Sequence, residues 1–199
     1  MTDVRIVFTS GLAVSDDRVL AVHRLDLDGT HEIVSVPRAG GDFEPVVSEA
    51  TRIALVALDG TTMYWVSGPC GGTDRQLKSM SVYGGSPKVV VELGPGCGGT
   101  LCGDAFCARE GSQLIAWFFD GSVSVLAEEV GGLRMGFDGT FLYWAEHDSN
   151  EAWRVDLTGG QPVAVYDSYD EVVDIAATSP ADVFVLTRSN LYRVQPAAP

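Results

Sequence analysis

The sequence predicts an all-β chain built as a β-propeller, from a recurring aromatic motif, recurring Gly-Gly turns and a unit length of about 40 residues, the range of four-stranded propeller blades. Asp59-Gly-Thr-Thr-Met-Tyr-Trp65 and Asp138-Gly-Thr-Phe-Leu-Tyr-Trp144 agree at five of seven positions and lie 79 residues apart. Downstream of each, Ser81-Val-Tyr-Gly-Gly-Ser-Pro87 parallels Asp156-Leu-Thr-Gly-Gly-Gln-Pro162. A third copy, Pro37-Arg-Ala-Gly-Gly-Asp-Phe-Glu-Pro-Val-Val47, falls 44 residues before the first of these. Trp117-Phe-Phe-Asp-Gly-Ser-Val-Ser-Val-Leu126 supplies a hairpin where the remaining copy is due.

Five units follow in order, each read as strands a to d. They run over residues 11–50, 51–94, 95–130, 131–171 and 172–199 of a single domain. Met63-Tyr-Trp-Val66 and Phe141-Leu-Tyr-Trp144 are rich in β-forming side chains. Each follows an Asp-Gly-Thr tripeptide whose Gly suits a tight hairpin turn. The later Gly-Gly marks a second turn before Val-rich strands. Residues 46–59 and 163–178 lack internal Gly and Pro and have locally helical character. The repeat places both across unit-to-unit connections, which predicts strands instead. The fifth unit offers strands at 172–176, 182–187 and 191–194 and then lacks a fourth. Val4-Arg-Ile-Val-Phe8 precedes the first unit and predicts an N-terminal strand that completes the last blade and hides both open edges.

The Asp-Gly-Thr-x-x-Tyr-Trp motif, with Trp153-Arg-Val-Asp-Leu-Thr-Gly-Gly160 after it, resembles the YWTD-type repeats of the low-density lipoprotein receptor propellers. It also resembles the Gly-Gly-x-Pro propeller repeats of secreted and lipoprotein-like bacterial proteins. The resemblance is clear in the second and fourth units and implies Tyr64, Trp65, Tyr143 and Trp144 packing between blades. Val66-Ser67 and Ala145-Glu146 stand where Thr-Asp would be, so no role of that Asp carries over.

Composition excludes several function classes. The chain has 199 residues, 46% of them hydrophobic, which is enough for a core and argues against disorder. A formal charge of −14 leaves no basic footprint for nucleic acid or an anionic membrane surface. The longest apolar run, Leu114 to Phe119, is far short of a membrane span. Residues 1–8 have neither a basic n-region nor a useful apolar h-region, so no signal peptide is expected in this chain. All four cysteines, Cys70, Cys97, Cys102 and Cys107, crowd into 38 residues. An even, clustered set in a Gly-rich stretch points to two disulfides and an extracytoplasmic location, secreted or periplasmic. Free thiols would instead fit a cytoplasmic protein, and the spacing lacks the tight Cys-x-x-Cys pair that most small zinc sites use. In a propeller, b–c loops and d–a connections share one face, which makes a Cys70–Cys97 bridge geometrically reasonable and sets Cys102 and Cys107 on either side of a hairpin, with the connectivity left open.

No catalytic constellation emerges. His23, His31 and His147 sit in different units without metal-like spacing, and no Gly-x-Ser-x-Gly elbow or phosphate loop is present. Asp16-Asp17, Asp26 with Asp28, and Asp167 with Asp170-Glu171 offer oxygens of the kind Ca²⁺ takes, although acidic loops serve solubility more often. The b–c loops at 26–31, 68–75 and 147–150 are the longest insertions on one face, and function tends to reside on such loops. Arg75, His147, Asp148 and Asn150 are therefore the candidate ligand-binding residues. The reading is a non-catalytic binding or scaffold propeller with a protein partner and no resident cofactor. Its rivals are a glycan-binding, lectin-like propeller and a Ca²⁺-dependent, lactonase-like hydrolase.

Overall fold

The computed structural model describes residues 12–24, 30–131, 133–146, 149–167, 169–179 and 182–195. Among them every regular element is a β-strand, and the chain divides into two compact units, Met1–Pro95 and Gly96–Pro199. The first unit holds two antiparallel sheets: β1 (Leu12–Val14), β2 (Arg18–Arg24), β3 (His31–Pro37) and β4 (Glu44–Glu49), then β5 (Ile53–Asp59), β6 (Thr62–Ser67), β7 (Arg75–Ser81) and β8 (Lys88–Leu93). The second unit opens with β9 (Thr100–Cys102), β10 (Ala105–Glu110), β11 (Gln113–Phe118) and β12 (Val123–Ala127). Its next sheet is β13 (Leu133–Phe137), β14 (Phe141–Glu146), β15 (Glu151–Asp156) and β16 (Val163–Asp167). The last is β17 (Val172–Ser179), β18 (Asp182–Thr187) and β19 (Leu191–Val194). Strands in every sheet pair in chain order, so each sheet is a simple meander. The locally helical segments are strands, β4 and β5 in one case and β16 and β17 in the other. The fifth sheet has three strands among the described residues, and the expected N-terminal strand at 4–8 lies outside them.

The sheets adhere through their faces. In the first unit Leu20, Val22, Ile33 and Val47 of one sheet meet Ile53, Met63, Trp65 and Met80 of the next. Burying each such side chain contributes on the order of 1.5–3 kcal/mol. In the second unit Leu142, Trp144 and Val155 pack on Leu114, Ala116 and Leu126 of the preceding sheet. Tyr143, Ala145 and Ala152 pack on Val172, Ile175, Val183 and Val185 of the following one. The middle sheet is thus covered on both faces, which explains why Phe141-Leu-Tyr-Trp-Ala145 is an unbroken apolar run rather than an alternation. Gly136 permits the close approach of β13 to β17, because a Cβ there would lie 2.9 Å from the Ala177 backbone nitrogen.

The Gly-Gly copies are one turn built three times. Gly40, Gly84 and Gly159 each donate a backbone N–H to the carbonyl three residues earlier, at 2.9, 3.0 and 3.0 Å. The paired φ angles are 90° and 142°, 101° and 132°, and 98° and 131°, a region that side-chain-bearing residues rarely enter. All four four-stranded sheets also carry a register shift between their third and fourth strands, at Ile33/Val34, Leu77/Lys78, Leu114/Ile115 and Ala152/Trp153. Such bulges add twist to the outer strand.

The cysteines correct one expectation. Cys70 and Cys97 are disulfide-bonded, but Cys102 and Cys107 are free and buried. The β9–β10 register sets Cys102 opposite Ala105 and Cys107 opposite Thr100, so the two thiols are diagonal neighbours. Diagonal positions stand roughly 7–8 Å apart, beyond the roughly 4.4–6.8 Å between Cα atoms that a disulfide accommodates. Burial, followed by the hydrogen bond with Cys107, pushes the Cys102 thiol up, which suppresses the thiolate needed for exchange.

Candidate functional site

The loop between β6 and β7 is held at its base and at its middle. Gly68 donates its N–H to the Arg52 carbonyl at 3.0 Å, and its φ of 115° admits no side chain, since a Cβ would lie 3.0 Å from the Arg75 Cα. Gly72 closes a turn onto the Pro69 carbonyl at 3.1 Å, and Cys70 carries the disulfide. Arg75 starts β7 and is buried, its Nη1 donating to the Gly94 carbonyl at 3.1 Å. It anchors the loop instead of projecting from it. Pro69, Gly71, Thr73 and Asp74 remain exposed at the tip.

The other candidates lie in the second unit. Asn150 Nδ2 approaches Asp167 Oδ1 at 3.4 Å, and the neighbouring Ser149 takes part in backbone bonds to Glu146 and Val172. His147 and Asp148 lie outside the described residues, as do Asp26 and Asp28. Three residues of the remaining acidic pairs are engaged. Asp17 accepts from Ser15 Oγ at 3.0 Å and from Tyr83 Oη at 3.1 Å, Asp170 accepts the Ser189 N–H at 3.0 Å, and Glu171 pairs with Arg188 at 2.6 Å. Among the described residues no three His, Cys, Asp or Glu side chains gather as a metal site would require.

A polar cleft that the sequence did not announce lies in the first unit, between the end of β4 and the face of β6 and β7. Its volume is about 460 Å³, within the range of small-ligand clefts. Glu49 forms its inner wall. One carboxylate oxygen accepts from Trp65 Nε1 at 3.1 Å and from Lys78 Nζ at 3.0 Å; the other accepts from Thr51 Oγ1 at 3.3 Å and from Ser67 Oγ. The strand register makes this possible, because Trp65 stands opposite Lys78 and Ser67 opposite Gln76 on one face of the sheet. Burial opposes ionisation of Glu49 most strongly, yet the hydrogen bonds from Ser67, Lys78 and Trp65, with the Lys78 charge, outweigh it and hold the carboxyl below its ordinary value. Ser48, Gln76 and Asp74 complete the rim. Only an alignment of β4 with a sheet that starts four residues later brings Glu49 to Lys78, 29 positions away, so no local motif marks the site.

No protein-family model matches the chain, and no curated protein matches it by sequence. Solved structures do match. Nidogen, from a nidogen/laminin complex, is 16% identical with a TM-score of 0.68 over 90% of this chain and 72% of its own. A TolB protein from Agrobacterium tumefaciens is 16% identical with a TM-score of 0.67, covering 89% and 69%. The β-propeller domain of the Trilobed protease from Pyrococcus furiosus is 11% identical with a TM-score of 0.66, covering 95% and 68%. Identities this low speak for architecture and not for activity, and the architecture the chain shares with these structures is the β-propeller.

Proposed function

We propose that the chain is a non-catalytic binding propeller of five blades that acts outside the cytoplasm and presents the 68–75 loop face to a protein partner. The observation that carries this reading is the loop itself: an exposed Pro69–Asp74 tip on a base fixed by the Cys70 disulfide, the Gly68–Arg52 bond and the buried Arg75. A loop already held in one conformation spends little ordering entropy on association, so more of its contact energy appears as affinity. The disulfide supports an oxidising compartment, and the structural likeness to nidogen, solved with laminin, supports a protein as the partner.

The test is a photo-cross-linker at Thr73 in protein exposed to its native extracytoplasmic milieu. The expected result is one cross-linked protein, displaced by unlabelled wild type and not by a variant with residues 69–73 replaced by a Gly-Ser linker. Capture that both competitors displace equally would remove this loop as the binding face.

A further inference from the structure

We propose that the cleft between β4 and the β6–β7 face binds a neutral polyhydroxylated ligand, a hexose ring. The proposal goes beyond the protein-binding loop and does not depend on it. Glu49 is already engaged on both oxygens: one receives an indole N–H and an ammonium, the other the Ser67 hydroxyl, with Thr51 Oγ1 within hydrogen-bond reach of both Glu49 and Ser67. It is therefore a scaffold that fixes its donors in place. What the cleft offers a ligand is the remaining capacity of those groups. Lys78 retains two of its three N–H donors beyond its bond to Glu49. Ser67 and Thr51 retain acceptor lone pairs, and Asp74 contributes a carboxylate that makes no hydrogen bond or ion pair among the described residues.

Charge decides the ligand class. A cation entering the cleft meets the Lys78 ammonium, and an anion meets Glu49 and Asp74. A hydroxyl both donates and accepts, so one ring bearing several hydroxyls satisfies ammonium, carboxylate and side-chain hydroxyls together. Among the described residues, the second unit's middle sheet does not repeat the arrangement: Trp153 stands opposite Trp144, where Lys78 stands opposite Trp65, and that register supplies no ammonium.

A glycan array, followed by titration of the hits as methyl glycosides observed by saturation-transfer NMR, tests the assignment on the full chain. The expected result is retention of a restricted set of hexose-bearing glycans, with affinity at least tenfold weaker in Asp74→Asn and in Lys78→Met. Asp120→Asn, in the second unit, should bind as wild type. Circular dichroism and the melting temperature establish that each variant is folded; Asp74 is exposed, so Asp74→Asn tests the site even where Lys78→Met fails to fold. Equal affinity for a methyl glycoside and for a glycoprotein carrying the same sugar would assign the cleft to free sugar; tenfold tighter binding of the glycoprotein would assign it to a glycan. A blank array with folded wild type, or hits unaffected by Asp74→Asn, would overturn the proposal. Replacing residues 69–73 alone, which keeps Asp74 in the cleft, removes the proposed protein-binding tip and leaves sugar binding to be scored separately.

Discussion

Asp138 shows why the repeated motif has the residues it has. Its Oδ1 accepts the backbone N–H groups of Thr140 and Phe141 at 2.8 and 2.7 Å, and its Oδ2 accepts the Tyr143 hydroxyl at 2.7 Å. One carboxylate closes the hairpin turn and satisfies the buried tyrosine. The Asp-Gly-Thr-x-x-Tyr pattern was legible in the sequence as a turn followed by packed aromatics, and Trp65, Tyr143 and Trp144 are indeed buried between sheets. The hydroxyl-to-carboxylate bond was not legible, because it depends on the tyrosine side chain folding back beside its own turn. Asp138→Ala leaves that hydroxyl and two N–H groups unpaired and should cost about 1–3 kcal/mol in urea unfolding. Burial, reinforced by the bond to Asp138 and opposed by Arg154, raises Tyr143 to about 12 from an ordinary 10.0. This contribution to stability is complete below pH 10 and is lost as pH rises toward 12, so Tyr143→Phe should flatten the alkaline limb of the stability profile. Glu49 has the opposite sign. Its lowered folded value means that its contribution is present above its ordinary 4.5 and is lost as pH falls below that through the folded value. Glu49→Gln should lower stability at neutral pH and lose less on acidification, as read by melting temperature against pH.

Elements divide sharply into those that sequence punctuation marks and those that packing creates. The three Gly-Gly turns were legible because only glycine tolerates their backbone. Strands β4, β5, β16 and β17 were legible only through the repeat, since their local composition leaned toward helix. The bulges on the outer strands left no sequence signature, because the shifted positions hold residues as different as Ile33, Leu77 and Ala152. The cleft was missed for a related reason: Glu49 and Lys78 are ordinary strand residues until two sheets meet. Gly99 tests how closely connections are packed. A Cβ at that position would lie 2.0 Å from the Phe106 ring, and its φ of 147° is itself unfavourable for an L side chain. Gly99→Ala should destabilise by at least the roughly 1–3 kcal/mol typical of overpacking, and the measured loss should exceed that of Gly111→Ala, which meets open space at a φ of 60°. Equal losses in chemical denaturation would show that the Phe106 contact contributes nothing.

For the molecule as a whole, the sequence revealed the fold but only part of its covalent pattern. Clustering of the cysteines pointed to two bridges, and the β9–β10 register leaves room for one. The proposed binding tip was least legible, since Arg75 is an internal anchor and the exposed residues beside it have no distinctive chemistry. Removing the bridge with Cys70→Ser frees the 70–97 segment in the unfolded chain, which by loop-closure entropy costs roughly 3–4 kcal/mol and also releases the tip. The clamped loop is the central claim, and thiol mapping addresses it directly. Protein purified without reductant is denatured, alkylated and digested, and each cysteine is scored by mass. The structure predicts label on Cys102 and Cys107 alone, with all four labelled only after reduction. Label on Cys70 and Cys97 before reduction would contradict it, leaving the loop unclamped and the proposed binding face without its support.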